Sequence, residues 1–176
     1  MSTRLPARQP FGLTPSGRVR PGLVFRVPLS DGSQSLGFVR ATNVLFGAMA
    51  VLLCEDRAEE VTGAESRTEI EQGRVLAFLL TWPHPIRDGT WPLVPREALP
   101  LSSREWAMLS TFDADRMKNL TVHAVRRVQA FLEAARGLRA WDEPIDKDVR
   151  PADLLLAGRR RPQASRRKFR LTTRPG

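Results

Sequence analysis

Runs of apolar and β-branched residues in the first half of the chain predict a β-hairpin. Residues 23–29 form the first run, and its Pro28 indicates an edge position or the end of the strand. Asp31-Gly32 then predicts a tight turn, because glycine accepts the positive φ that such turns require. The return strand covers residues 36–41, and Gly37 within it permits a bulge or a close approach of another group to the backbone.

Two further runs are apolar at almost every position and predict strands that are covered on both faces. They span residues 47–55 and 74–82. The segment that follows, residues 82–94, has two Trp-Pro pairs around an Asp-Gly turn. Its prolines argue against a helix and favour a short edge strand or a rigid loop.

The pattern changes to a helical period in the last third of the chain. Ser102 and Glu105 have the spacing of a capping box and predict a short helix to about Ser110. A longer helix is predicted past residue 113 or 115, with apolar residues recurring at three- and four-residue steps and with Gly137 as its end. That stripe consists of Leu120, Ala124, Val128, Phe131, Leu132, Ala135 and Leu138. Residues 151–158 predict one more short helix, between a proline and a glycine.

These elements predict an α+β fold, in which a small, strongly bent antiparallel sheet or an SH3-like barrel precedes C-terminal helices. Residues 1–20 are expected to be a flexible basic arm, rich in proline and glycine. Residues 21–100 are expected to form the β-rich domain and residues 101–158 a helical extension packed on it. A flexible basic tail, residues 159–176, completes the predicted organisation.

The net charge of +9 belongs to the two ends of the chain. Residues 1–30 hold five Arg and no acid, and residues 159–176 hold seven Arg, one Lys and no acid, whereas residues 31–158 hold 15 bases against all 19 acids. The middle is therefore mildly acidic, which favours a protein partner over nucleic acid. The tail is expected to make at most a weak, salt-sensitive contact with polyanions. Its basic cluster consists of Arg159, Arg160, Arg161, Arg166, Arg167 and Lys168.

Residues suited to catalysis or metal binding are few. Cys54 is the only cysteine, lies in an apolar run and is expected to be a buried structural thiol. His84 lies between two prolines and is expected at the surface, whereas His123 is expected to be a hydrogen-bonded residue of the long helix. Zinc-ligand spacing, a phosphate-binding glycine loop and a nucleophile elbow are all missing from the sequence. We therefore expect a protein that is not an enzyme and that uses no metal or cofactor.

The start of the chain shows none of the apolar character of a signal peptide. No run of residues approaches the roughly 20 apolar positions of a membrane span. These features predict a cytoplasmic protein without a membrane contact.

Two groups of residues are candidates for binding a partner. Acidic residues between the third and fourth predicted strands would accelerate association with a basic protein surface. Tryptophans on either side of one turn are suited to anchoring an interface, although a tryptophan is more often a core residue. The candidates are Glu55, Asp56, Glu59, Glu60, Trp82 and Trp91. The carboxylates are expected to be solvated, since the glycine-punctuated spacing of calcium loops is missing.

Residues 21–32 and 36–40 resemble the immunity protein 26 family of bacterial polymorphic toxin systems. That family typically opens with a Pro-Gly-acid-hydrophobic-Phe strand, followed by a proline, an Asp-Gly turn and a glycine-bearing return strand. Trp82 and the Gly89-Thr90-Trp91-Pro92 segment are similar to its second half. Leu23 departs from the pattern, because the family often has an acidic residue there.

The resemblance covers residues 18–100 and implies a β-rich domain that neutralises a cognate toxin by binding it. It implies no catalytic residues, and it makes residues 55–71 a candidate contact region. Two other functions remain open. One is a nucleic-acid-binding small β-barrel that uses its basic ends, and the other is a barrel-type endoribonuclease with Arg26 and Arg40 as candidate cationic groups.

Overall fold

A computed structural model describes residues 18–57, 74–99, 101–112 and 121–162. The strands in these ranges are β1 (Val24–Pro28), β2 (Gln34–Ala41), β3 (Met49–Arg57), β4 (Val75–Thr81), β5 (Leu93–Val94) and β6 (Val122–His123). The α-helices are α1 (His84–Arg87), α2 (Ser103–Ser110), α3 (Val125–Ala135) and α4 (Pro151–Leu154), and a short 3-10 helix spans Arg96–Ala98.

The strands form one open sheet in the order β5-β1-β2-β3-β4-β6. Neighbouring strands are antiparallel except for β4 and β6, which are parallel. The predicted α+β class is confirmed. The alternative of a closed barrel is not found among the described strands, and the sheet is mixed, whereas a purely antiparallel one was predicted.

The predicted hairpin joins β1 to β2. Pro28 is the last residue of β1, and the Leu29 amide donates to the carbonyl oxygen of Ser33 at 2.9 Å. The Asp31 carboxylate accepts from the amide and the hydroxyl of Ser33, at 3.0 and 2.6 Å, while Gly32 has a φ of +81°. This local network fixes the turn that the sequence predicts.

Helices cover both faces of the sheet, which explains why β3 and β4 are apolar at consecutive positions. Val51 faces a core that contains Phe131 of α3, whereas the next residue, Leu52, faces a second core with Leu109 of α2. Cys54 belongs to the second core and is buried, as predicted. Alternate residues of the strands therefore supply two separate cores.

The prediction that prolines would prevent a helix after Trp82 was wrong. Pro83 caps α1 and Pro85 lies in its first turn, where a missing N–H removes no intrahelical hydrogen bond. The Asp88 amide closes the turn by donating to the His84 carbonyl at 2.9 Å. The second part of the same prediction is confirmed, because β5 is a short edge strand.

The long helix starts later than its apolar stripe predicted. It begins at Val125, because His123 and its neighbour Val122 form β6, and the Thr81 hydroxyl donates to the His123 carbonyl at 2.9 Å. Ala124 is extended, with a ψ of 150°, and Leu120 lies outside the described residues. The helix ends as predicted before Gly137, which has a φ of +74°. Leu138 is 41 % exposed and does not continue the buried stripe.

The remaining boundaries follow the sequence with small shifts. The capping box of Ser102 and Glu105 is formed, and α4 begins at the predicted proline. The described part of the predicted arm, residues 18–20, includes Val19, which is buried in the core with α3. Residues 1–17 and 163–176 lie outside the described ranges.

Candidate protein-binding surface

The loop between β2 and β3 holds the most exposed large apolar side chain among the described residues. Phe46 is 90 % exposed, and Val44 in the same loop is 37 % exposed. The loop is held by two backbone hydrogen bonds, from the Val44 amide to the Ala48 carbonyl at 3.1 Å and from the Ala48 amide to the Leu45 carbonyl at 2.7 Å. The phenyl ring is therefore presented to solvent by a closed, hydrogen-bonded turn.

The backbone of this loop is strained at Phe46. Its φ is 48°, and Asn43 and Gly47 have φ values of 56° and 83°. Asparagine and glycine adopt this left-handed region readily, but a bulky side chain pays a cost of about 1–3 kcal/mol there. An unfavourable backbone that displays an apolar ring fits a residue selected for contact.

Trp82 lies at the base of the same loop. Because Met49 pairs with Thr81, the register places Trp82 opposite Ala48. Its side chain is 37 % exposed. We call Val44, Phe46 and Trp82 the loop surface.

One side of the loop surface has a basic rim. A concave surface beside Gly47 is lined by Arg18 and Arg87, and no Asp or Glu is among the described residues that line it. Exposed aromatic groups bordered by arginine are typical of the centres of protein interfaces. The arrangement can therefore take an apolar group of a partner and balance acidic groups around it.

Few of the sequence-predicted contact residues lie here. Glu55 is at the other end of β3 from the loop, about 20 Å from Met49 at the usual rise per residue. Asp56 follows Glu55 in β3, whereas Glu59 and Glu60 lie outside the described residues. Trp82 is thus the one predicted contact that the described structure brings to the loop surface.

Trp91 is a core residue. It is 1 % exposed, and its ring stacks on the ring of Phe25, so it presents no surface to a partner. Of the two roles that the sequence left open for this tryptophan, the structure shows the core role.

The sequence reasoning did not single out Phe46 or Val44. Asn43 lies three residues before Phe46, and Gly47 follows Phe46 directly. These two residue types most readily adopt positive φ and mark a turn. An aromatic residue within such a turn is the feature of the sequence that could have identified Phe46 as a candidate contact.

His123 is the described residue closest to a catalytic type, and its environment is different from the one predicted. It lies on β6 instead of a helix and is buried, and its Nδ1 atom has no hydrogen-bond partner among the described residues. Burial, with a smaller contribution from the charge of Arg127, lowers the pKa of the imidazole.

The cavity next to His123 also contains Arg127, Asp148 and Asp153. The Nε atom of Arg127 donates a hydrogen bond to Oδ2 of Asp146 at 2.5 Å. This hydrogen bond is the main reason that the pKa of the Asp146 carboxyl is lowered. Within the described ranges, no three His, Cys, Asp or Glu side chains converge as metal ligands. The cavity shows no hydrogen-bonded pair of a nucleophile and His123.

The cationic groups suggested for an endoribonuclease are on β1 and β2. Arg26 donates to the Gln34 side chain at 3.4 Å across the hairpin, and Arg40 lies near the end of β2. In the basic tail, Arg161 pairs with Asp142 at 3.0 Å. Arg159 and Arg160 are also described, whereas Arg166, Arg167 and Lys168 lie outside the described residues.

Comparisons of the chain with protein-family models, with curated proteins and with solved structures find no match. The function must therefore be inferred from the residues of this chain. None of the helices in the described ranges is long and apolar enough to cross a membrane.

Proposed function

We propose that the protein is a non-catalytic binding protein that blocks a partner protein at the loop surface, as an immunity protein blocks its toxin. The observation that carries this proposal is the 90 % exposure of Phe46 on a closed loop with unfavourable φ. A ring exposed to this extent buries little apolar area, so it contributes little to the stability of the free protein. A partner that buries it would gain the full transfer free energy of the ring.

The chemistry of the surface defines the partner. Phe46 and Trp82 require an apolar pocket, and the guanidinium group of Arg87 favours acidic residues around that pocket. The proposed contact is at the opposite end of β3 from Glu55, and so differs from the acidic contact region that the resemblance implied.

The proposal is tested by co-expressing a toxin encoded beside this chain with the wild-type protein and with Phe46→Ser. Wild type should restore growth, and Phe46→Ser should not, because it removes the central apolar contact. Leu138→Ser is a matched control, since Leu138 is also an exposed apolar residue but lies after α3, outside the loop surface. Equal protection by the wild type and Phe46→Ser would contradict this contact, and a toxin that kills despite excess wild type would contradict the function.

Direct binding gives a second readout with the purified pair. Truncating a central aromatic contact costs about 2 kcal/mol or more, so Phe46→Ser should raise the Kd about 30-fold or more. Leu138→Ser should leave the Kd within about threefold. Because Phe46 is exposed, the free energy of unfolding should be nearly equal for all three proteins.

A further inference from the structure

A separate concave surface lies between the start of β1 and α2. It has a volume of about 440 Å³ and an apolar floor formed by Leu23, Val94 and Leu99. Arg20, Arg96 and Trp106 line the same surface. We call these six residues the basic groove.

The sheet places the two arginines at the same end of neighbouring strands. Val24 pairs with Val94, so the chain before β1 and the chain after β5 leave the sheet side by side. Arg20 lies four residues before Val24, and Arg96 lies two residues after Val94. Two guanidinium groups therefore border one groove as a result of the strand pairing.

The two arginines of the groove have no carboxylate partner among the described side chains. No Asp or Glu is among the described residues that line the groove. The guanidinium carbon of Arg96 lies 4.9 Å from the centroid of the Trp106 ring, and that ring packs against Phe38 with centroids 6.0 Å apart. A cation–π contact holds a guanidinium group without neutralising it, so Arg96 keeps its positive charge.

We propose that the basic groove binds a nucleotide, with the phosphate between Arg20 and Arg96 and the base on the apolar floor beside Trp106. The guanidinium group suits phosphate because its N–H groups match two phosphate oxygens. A volume of about 440 Å³ is within the usual range for small-molecule sites. The apolar floor and the aromatic ring favour a nucleotide over a bare anion, because the base has a flat π face that can stack against them. This inference goes beyond protein binding at the loop surface.

The test is isothermal titration calorimetry of small probes binding to the full chain at low ionic strength. The probes are AMP, inorganic phosphate, a short oligouridylate and a hexaglutamate peptide. A free nucleotide is the ligand if AMP binds with one site per chain, and a strand is the ligand if only the oligouridylate binds at the groove. In either case Arg20→Gln/Arg96→Gln should weaken binding about tenfold or more. For the oligouridylate, the slope of log K against log salt should also become shallower, because fewer counterions are released on binding.

The matched control is Arg104→Gln/Lys147→Gln. It removes the same charge from two exposed basic residues outside the groove, and it should leave AMP binding unchanged. Arg20 and Arg96 are exposed, so their substitution should not disturb folding, and Arg20→Gln alone gives a second measurement. Phe46→Ser should bind nucleotide like the wild type, which separates a failure of this inference from a failure of the proposed function.

Three results would overturn the inference. The first is the absence of saturable binding of both AMP and the oligouridylate to the wild type. The second is equal weakening in the groove variant and the control, which would mean general charge attraction. The third is binding of inorganic phosphate or hexaglutamate as tight as that of the nucleotide probes, which would assign the groove to anions in general.

Discussion

The rings of Trp91 and Phe25 stack with their centroids 5.2 Å apart and their planes 4° apart. Both side chains are almost fully buried. The pair joins the loop after α1 to the first half of β1, and it therefore links the hairpin to the segment that leads to β5.

Trp91→Ala should lower the free energy of unfolding by about 3–5 kcal/mol, because it removes a buried aromatic ring and leaves a cavity. Urea denaturation with a two-state fit measures this change. Trp82→Ala is the matched control, since Trp82 is partly exposed and its loss should cost less than about 1.5 kcal/mol. A similar loss of unfolding free energy in both variants would contradict the difference in burial between the two tryptophans.

Gly37→Ala should destabilise the protein by about 1–3 kcal/mol or more, because the new methyl group meets the ring of Phe25. A Cβ atom at Gly37 would overlap the Cζ end of that ring, and the ring also stacks on Trp91. Phe25→Leu should relieve the clash, so Gly37→Ala should cost less in the Phe25→Leu background. A double-mutant cycle measures the coupling, and strict additivity would argue against this contact.

Ser102→Ala should reduce the free energy of unfolding by about 1 kcal/mol. The Ser102 hydroxyl accepts from the Glu105 amide at 3.2 Å, and the Glu105 carboxylate accepts from the Ser102 amide at 2.6 Å. Ser103→Ala is the control, because Ser103 is exposed and already within α2. Thermal unfolding should show a lower Tm for Ser102→Ala alone, and an equal decrease in both variants would exclude the capping role.

The stability of the protein should fall as the pH is lowered below about 6.5, the ordinary pKa of histidine. Burial lowers the pKa of His123 in the folded chain, so the unfolded chain binds a proton that the folded chain does not. The contribution of His123 is complete above the unfolded pKa and is lost as the pH falls toward the folded pKa.

Urea midpoints measured from pH 7.5 to 5 test this dependence. His123→Gln should flatten the decrease between these pH values. His84→Gln, in an exposed position on α1, should retain it. A decrease that persists unchanged in His123→Gln would assign the acid sensitivity to another group.

The strands and turns that depend on local chemistry were predictable from the sequence. The Asp31-Gly32 turn, the apolar strands β3 and β4, and the capping box are each set by residues close together in the chain. The late start of α3 was not predictable. The residues of β6 also fit the helical spacing, and they form a strand only because they pair with β4, which is far away in sequence. The candidate site depends on the same kind of information, since only the three-dimensional structure separates a buried Trp91 from an exposed Phe46.

The two outer strands of the sheet both follow β4 in the chain, although they lie at opposite edges. The hairpins of β1 to β4 connect strands that are consecutive in sequence, so they are expected to form early in folding. Until β5 and β6 dock, the growing sheet has two unpaired edges that another chain can join. During synthesis on the ribosome, protection against such mispairing is therefore completed only after residue 123 has emerged.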